Sequence, residues 1–270
     1  MTIFSAIQIN STNDYKSNVD KTIKFIEDAS KNGAKVISLP EVFTFIGDDS
    51  ETDFTYIQNL EGDLVNLLSK VSKENNIYLI AGSIHELIPN NKKSFNTTIV
   101  FSPNGEILDT YRKIHLFNAS FLGQDKESNK FEFGDSEQAI TINSEYGNFG
   151  LTICHDLRFP EMFRKLTLKG ADIIFVPSAF VMKTGKDHWE ILLRARAIEN
   201  QVYIVAPAQF GKHNSRKESY GNSMIVDPWG KVISRASDKE GIIYADIDLE
   251  YLSYVRKQLE TVEQMKIFKI

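Results

Sequence analysis

A chain of 270 residues, 42% hydrophobic and 25% charged, can bury a full core as one large α/β domain or as two small ones. Its net charge of -5 and its lack of any long Lys/Arg block argue against nucleic acid or an anionic membrane as the main partner and leave a small solute or another protein. Its single cysteine excludes an internal disulfide framework and a Cys-rich zinc site and fits a reducing compartment, with the cytoplasm as the expected location.

The opening Met-Thr-Ile-Phe-Ser-Ala-Ile-Gln-Ile has no basic segment and no long apolar run, so residues 2–9 read as a first strand rather than a signal peptide. No apolar stretch approaches the roughly 20 residues needed to span a bilayer. Val19, Ile23 and Ile26 mark a helix stopped by Gly33, residues 36–39 form a short buried strand, and Leu64, Leu67, Leu68 and Val71 are the apolar stripe of a second helix. A strand at 77–84 follows, then a hairpin whose arms, 97–101 and 107–111, flank Ser102-Pro103-Asn104-Gly105.

Beyond a polar stretch at 118–137, the strand 149–153 runs into Cys154. A helix from about Pro160 ends at Gly170, residues 173–176 are a strand, and 188–200 is a helix. Strands and turns continue to Ile247, after which Asp248 can cap a short closing helix.

The two halves resemble each other. Gly33-Ala-Lys-Val-Ile-Ser-Leu-Pro-Glu-Val-Phe parallels Gly170-Ala-Asp-Ile-Ile-Phe-Val-Pro-Ser-Ala-Phe at an offset of 137, and Ile77-Tyr-Leu-Ile-Ala parallels Val202-Tyr-Ile-Val-Ala at 125. The segment Ile99-Val-Phe-Ser-Pro-Asn-Gly likewise matches Met224-Ile-Val-Asp-Pro-Trp-Gly. Two α/β halves imply two stacked sheets with helices outside, each sheet burying the other's inner face. No linker separates them, so residues 1–270 read as one domain.

Cys154, at a strand-to-helix turn, meets the positive end of a helix dipole, which favours thiolate; the alternative is a buried structural cysteine. Glu41 follows Leu39-Pro40 at a strand end, where a carboxylate lies either on a loop surface or in a cleft at the strand ends that raises its basicity. Lys113, in Tyr-Arg-Lys-Ile-His-Leu-Phe, is either an exposed cation or a fixed charge for an oxyanion. The pattern gives Glu127, in Lys126-Glu-Ser-Asn, no distinction. The histidines at 85, 115, 155, 188 and 213 show no ligand spacing, so no metal and no phosphate-binding cofactor is expected.

Glu41 in L-P-E-V-F, Lys113 in Y-R-K-I-H-L-F and Cys154 in G-L-T-I-C-H-D-L-R-F-P-E resemble, in order and surroundings, the three signature blocks of the nitrilase (carbon–nitrogen hydrolase) superfamily. The resemblance implies a four-layer α-β-β-α sandwich and a Glu41, Lys113, Cys154 triad, with Glu127 in K-E-S-N matching a second glutamate. D-H-W-E-I-L-L-R-A-R-A-I-E-N-Q-V-Y and S-Y-G-N-S-M-I-V-D-P-W-G are similar to the amidase branch that includes deaminated glutathione amidase and omega-amidase, the second segment more to the former. The chain departs from that branch at His155, where tyrosine is common, and in its tail after Arg256.

The implied reaction is cofactor-free hydrolysis of a small carboxylate-bearing amide to acid and ammonia through a thioester. Glu41 serves as base, Lys113 and the His155 N–H face the oxyanion, and Glu127 orients Lys113. Substrate contacts are expected from Arg158, whose guanidinium fork suits a carboxylate although it could equally form a surface salt bridge, and from His155, Phe180 and Thr184. The resemblance also implies a homodimer or higher homo-oligomer. Other carbon–nitrogen hydrolysis, such as that of N-carbamoyl compounds, and a non-catalytic binding role on the same fold are the competing readings.

Overall fold

The computed structural model describes residues 1–47, 56–122 and 126–267; residues 123–125 of the polar stretch lie outside this set. The chain opens with β1 (Thr2–Gln8), α1 (Tyr15–Lys31) and β2 (Val36–Ser38), and passes through α2 (Asp63–Asn75) to β3 (Tyr78–Ile80). It then forms β4 (Ile84–Leu87), β5 (Ser94–Phe101) and β6 (Ile107–Arg112). The second half runs through β7 (Thr141–Ser144), β8 (Gly147–Leu151), α3 (Pro160–Leu168), β9 (Ile173–Phe175), α4 (Met182–Asn200) and β10 (Tyr203–Ala206). A ribbon of β11 (Phe210–Lys212) and β12 (Glu218–Tyr220) precedes β13 (Met224–Val226) and β14 (Val232–Arg235). The chain closes with β15 (Gly241–Ile247), α5 (Leu249–Gln258) and α6 (Thr261–Met265).

Two sheets carry the fold. The first has the order β15-β1-β2-β3-β5-β4 with β6 on β5, the second β14-β13-β10-β9-β8-β7. In the first, β1, β2 and β3 are parallel and β5 and β6 antiparallel; in the second, β8, β9 and β10 are parallel and β13 and β14 antiparallel. The internal repeat is therefore a repeat of topology, with β2 matching β9 and β3 matching β10. β15 crosses back to pair with β1, from Thr2 opposite Ile247 to Gln8 opposite Gly241, and stitches the halves together.

Alternation along the strands sorts the core into layers. Phe4, Ala6, Val36, Ile80 and Val100 pack between the sheets with Phe149 and Phe175, whereas Ile7, Ile37, Leu79, Ile99 and Phe101 pack outward with Ile26 of α1 and Leu68 of α2. The rings of Phe4, Phe149 and Phe175 meet in the middle, Phe149 edge-on to both neighbours. Because α3 and α4 cover the second sheet, the layers run α-β-β-α as expected. Asp248 caps α5, its side chain accepting from the Glu250 and Tyr251 N–H groups.

Two elements differ from the sequence reading. The strand expected at 77–84 is broken: β3 stops at Ile80, the chain turns at Gly82 with φ +43°, and β4 begins at Ile84. A Cβ at Gly82 would lie 2.0 Å from the Pro40 carbonyl oxygen, so only glycine lets this turn press against the end of β2. The helix expected at 188–200 starts six residues earlier, at Met182. Its first turns look unpromising because of Thr184 and Gly185, but Gly185 lets Tyr220 pack directly on the helix: a Cβ there would lie 2.3 Å from the tyrosine Cβ.

Candidate active site

The carboxyl ends of the parallel strands of both sheets converge on one region. Glu41, two residues past Leu39, is only 2% exposed and has three hydrogen-bond donors arranged around its carboxylate. Its Oε1 accepts from Lys113 Nζ at 2.7 Å and Asn96 Nδ2 at 2.9 Å, and its Oε2 from the Ala179 N–H at 2.8 Å. Gln209 donates to its main-chain carbonyl. Glu41 thus lies in a cleft, not on a loop surface.

Lys113 is completely buried, contrary to the usual fate of a lysine. Its ammonium bridges Glu41 and Glu127, the latter at 2.9 Å. Burial alone would push the Lys113 pKa down, but Glu127 and Glu41 outweigh it and hold the group well above the ordinary lysine value, firmly charged. Glu127 accepts at its other oxygen from the Phe117 N–H at 2.7 Å. Burial and then the Glu41 charge raise the Glu127 pKa against the pull of Lys113.

Cys154 has φ +48°, a left-handed conformation that is strained for a residue with a Cβ. Its N–H donates to the Pro177 carbonyl, and the fully buried Asp156 anchors the turn. One Asp156 oxygen accepts from the Ile153 N–H and the Tyr111 hydroxyl, both at 2.8 Å; the other accepts from the His115 N–H at 3.1 Å and lies 2.7 Å from His115 Nδ1.

The expected helix-dipole activation of Cys154 is not present. The residue begins a five-residue 3₁₀ turn, Cys154–Arg158, while α3 starts only at Pro160, and the Cys154 amide is already bonded. Burial, then the negative charge of Glu41, push the thiol well above its ordinary pKa. The sulfur is therefore protonated at rest, so a nucleophilic role for it would require a base, and Glu41 is the carboxylate whose charge acts on it most strongly.

The four expected substrate contacts gather beside the sulfur. Cys154, His155, Arg158, Phe180 and Thr184 line a narrow pocket of about 10 Å³. Arg158 lies over the Phe180 ring, 5.2 Å from its centroid, with Nη1 3.2 Å from His188 Nδ1. The hydroxyl of Thr184 and Nδ1 of His155 are buried and find no hydrogen-bond partner among the described residues. Burial, then the charge of Lys113, lower the His155 pKa to about 4, so its ring is neutral at physiological pH. Through a wall shared at Phe117, Ala179 and Val181, the pocket adjoins a cleft of about 440 Å³ floored by Glu41 and Glu127.

Sequence reasoning missed Asn96, Asp156, Tyr111 and Gln209. Asp156 stood inside a quoted block, but nothing in its spacing showed that it would tie Tyr111 to the cysteine turn. Asn96 reads as one polar residue of an alternating strand. Among the described residues no group of three or more His, Cys, Asp or Glu side chains is placed to hold a metal ion, and no helix is long and apolar enough to cross a membrane.

Residues 4–257 match the sequence model of the carbon–nitrogen hydrolase family. The chain is 39% identical over 269 residues to the deaminated glutathione amidase of Bos taurus, covering 98% of this chain and 82% of that protein. It is also 39% identical to the enzyme of that name from Dictyostelium discoideum, covering 96% and 92%. Among solved structures, Saccharomyces cerevisiae Nit3, a member of branch 10 of the nitrilase superfamily, superposes with a TM-score of 0.86 at 35% identity over 96% of this chain and 94% of that one. The C. elegans NitFhit protein gives a TM-score of 0.89 at 34% identity, with 97% and 64% covered.

Proposed function

Because this chain belongs to the carbon–nitrogen hydrolase family of the nitrilase superfamily, and is thus an amidohydrolase of non-peptide C–N bonds, we propose that it hydrolyses a carboxylate-bearing amide through Cys154. The observation that carries the reading is the Glu41 carboxylate, which accepts from the buried Lys113 ammonium at 2.7 Å and whose charge acts directly on the Cys154 thiol. A base and an electrophile thus flank a protonated nucleophile.

In this mechanism the sulfur bonds to the amide carbon as Glu41 takes the thiol proton. The carbonyl oxygen becomes an oxyanion facing Lys113 and the His155 N–H, each such donor contributing about 3 to 4 kcal/mol. Glu41 passes its proton to the leaving nitrogen as the C–N bond breaks, releasing ammonia from a primary amide or an amine from a substituted one. Water then attacks the thioester and yields its proton to Glu41, and the departing sulfur recovers that proton as the acid is released. Glu127 holds Lys113 in place and contacts the substrate amide.

The substrate we favour is deaminated glutathione or a close analogue, supported by the names of the relatives and by Arg158 in the nucleophile's pocket. That pocket has room for about one water, so a substrate carboxylate enters by displacing the half-exposed Arg158 side chain. Product release from carboxylated amides, nitriles and carbamoyl compounds, compared between wild type and Cys154→Ala, tests the reading. Turnover of a carboxylated amide by the wild type alone is expected, and equal turnover by the variant refutes it.

The same reading takes the chain to be a homodimer in the cytoplasm. Exposed Ile191 and Ile198 on α4, Trp229 in the β13–β14 turn and Tyr254 on α5 form apolar surface of the kind that pairs subunits, and the lone thiol suits a reducing compartment. Sedimentation at micromolar concentration should give twice the 30.7 kDa chain mass; a monomer contradicts the assembly.

A further inference from the structure

Asn96 bonds to the Glu41 carboxylate, yet the mechanism above gives it no part. It is 1% exposed and lies on the inward face of β5, the face that Val100 shares. Its main-chain carbonyl accepts from the Lys113 N–H at 2.8 Å, and its Nδ2 donates to Glu41 Oε1 at 2.9 Å, so one residue grips both the lysine's backbone and the glutamate. The orientation of its amide is fixed, because turning it over would set Oδ1 against a carboxylate that can only accept. That orientation leaves Asn96 Oδ1 buried without a hydrogen-bond partner among the described residues. A buried acceptor without a donor is destabilising, so this side chain weakens the fold at one end while it serves Glu41 at the other. The two Glu41 oxygens are also unequal. Oε1 accepts from Lys113 Nζ and Asn96 Nδ2, which fill the roughly two acceptor directions of a carboxylate oxygen. Oε2 accepts from the Ala179 N–H at 2.8 Å, and Ala179 lines the narrow pocket that Cys154 also lines, which puts Oε2 on the nucleophile's side.

We propose that Asn96 is a positioning residue for proton transfer: by filling the second acceptor direction of Glu41 Oε1 beside Lys113, it leaves Oε2 as the oxygen that takes the Cys154 proton and returns it. This rests on the proposed role of Glu41 as the base and deepens it by assigning the proton to one atom. In the first step the S–H bond breaks and an Oε2–H bond forms, while the electron pair left on sulfur makes the C–S bond. Glu41 is then a neutral acid whose Oε1 is still an acceptor, so Lys113 and Asn96 keep their bonds to it. The same proton leaves Oε2 for the departing nitrogen, and the carboxylate returns with its donors unmoved. Neither step requires a side chain to reorganise. Without the Asn96 amide, Oε1 has an open direction of its own, and a proton that settles there lies on the far oxygen from the leaving group.

The test compares wild type with Asn96→Val, Asn96→Ala and Glu41→Gln. Deaminated glutathione and the half-amides of succinic and glutaric acid are the probes, and kinetics are taken on the one that wild type turns over fastest. Asn96→Val suits a strand and removes both the donor and the orphaned acceptor. Its urea midpoint should match or exceed that of wild type, while kcat falls about tenfold to a hundredfold and KM stays within twofold. Asn96→Ala opens about the space of one water, which can donate to Oε1 in place of the amide. This variant should be the less stable of the two and yet keep the higher kcat, an inverse order that a merely structural role does not produce. Asn96→Leu replaces Asn96→Val should the latter fold poorly. Wild-type kcat in the variants, a kcat that falls in step with stability, or a raised KM at unchanged kcat overturns the assignment. Glu41→Gln separates this from the broader reading. If it loses about a hundredfold or more in kcat while Asn96→Val does not, only the role of Asn96 falls. If it retains wild-type kcat, or if wild type cleaves none of the probes, the base or the amidase reading falls and the role of Asn96 with it.

Discussion

Removing the charge of Lys113 gives the sharpest physical consequence. Its ammonium is fully buried between two carboxylates, 2.7 Å from Glu41 and 2.9 Å from Glu127, and stripping one partner from a buried ion pair costs about 3 to 5 kcal/mol. In Lys113→Met the remaining carboxylates face each other without a cation. Glu127, already raised by burial and by Glu41 and restrained chiefly by Lys113, should then rise further and hold a proton. A carboxylate whose folded pKa lies above its unfolded value binds more protons when folded, so the variant loses stability as pH climbs through that interval, by up to about 1.4 kcal/mol per unit. Urea unfolding followed by circular dichroism should show a wider wild-type-to-variant gap at pH 8 than at pH 5. Adding Glu127→Gln should narrow the gap at pH 8. Turnover should fall by about 10² to 10³ in both variants. A gap independent of pH, or near-normal kcat, refutes the argument.

Other outcomes follow from single contacts. Gly82→Ala should destabilise the chain by more than about 2 kcal/mol and lower kcat, because the new Cβ meets the Pro40 carbonyl and displaces Glu41; a melting point and kcat like wild type contradict this. His213 has its folded pKa lowered to about 4, so between about pH 6.5 and pH 4 the unfolded chain takes up a proton that the folded chain refuses, and stability should fall with pH by up to about 3 kcal/mol. His213→Gln should flatten that part of the pH–stability curve, and an unchanged slope removes His213 as its source. If Arg158 clamps a carboxylate, the free acid should exceed its methyl ester in kcat/KM, and Arg158→Lys should blunt the preference through a raised KM for the acid; equal cleavage of acid and ester points to a pocket for neutral amides.

Much of the architecture was legible because it depends on local pattern. The repeat of Gly33 to Phe43 at Gly170 to Phe180 located β2 and β9, and both helices before these strands end near their glycines. The placement of Glu41 and Cys154 at strand ends followed from the same periodicity, and signature blocks added Lys113 and Glu127. What stayed hidden depends on residues distant in sequence. Nothing near Lys113 shows that Glu41, 72 positions earlier, would bury and charge it. Nor does anything near Asn96 show that its amide would share an oxygen of Glu41, 55 positions away, with that lysine. The break at Gly82 and the early start of α4 were missed for a related reason: each glycine looks like a weakness in its own segment and makes sense only against Pro40 or Tyr220. The dipole argument for Cys154 failed because it treated the turn at the cysteine as close enough to feel the helix that begins at Pro160, whereas the 3₁₀ turn Cys154–Arg158 intervenes.

The central claim is that the acyl group passes through the sulfur of Cys154 with Glu41 moving the proton. Rapid acid quench of the enzyme during turnover of a carboxylated amide, followed by mass spectrometry of the peptide containing Cys154, tests it most directly. The account predicts a mass gain equal to the acyl half of the substrate on that peptide in wild type, and none in Cys154→Ala. Steady turnover with no adduct at any time, or an adduct on another residue in wild type, would contradict it.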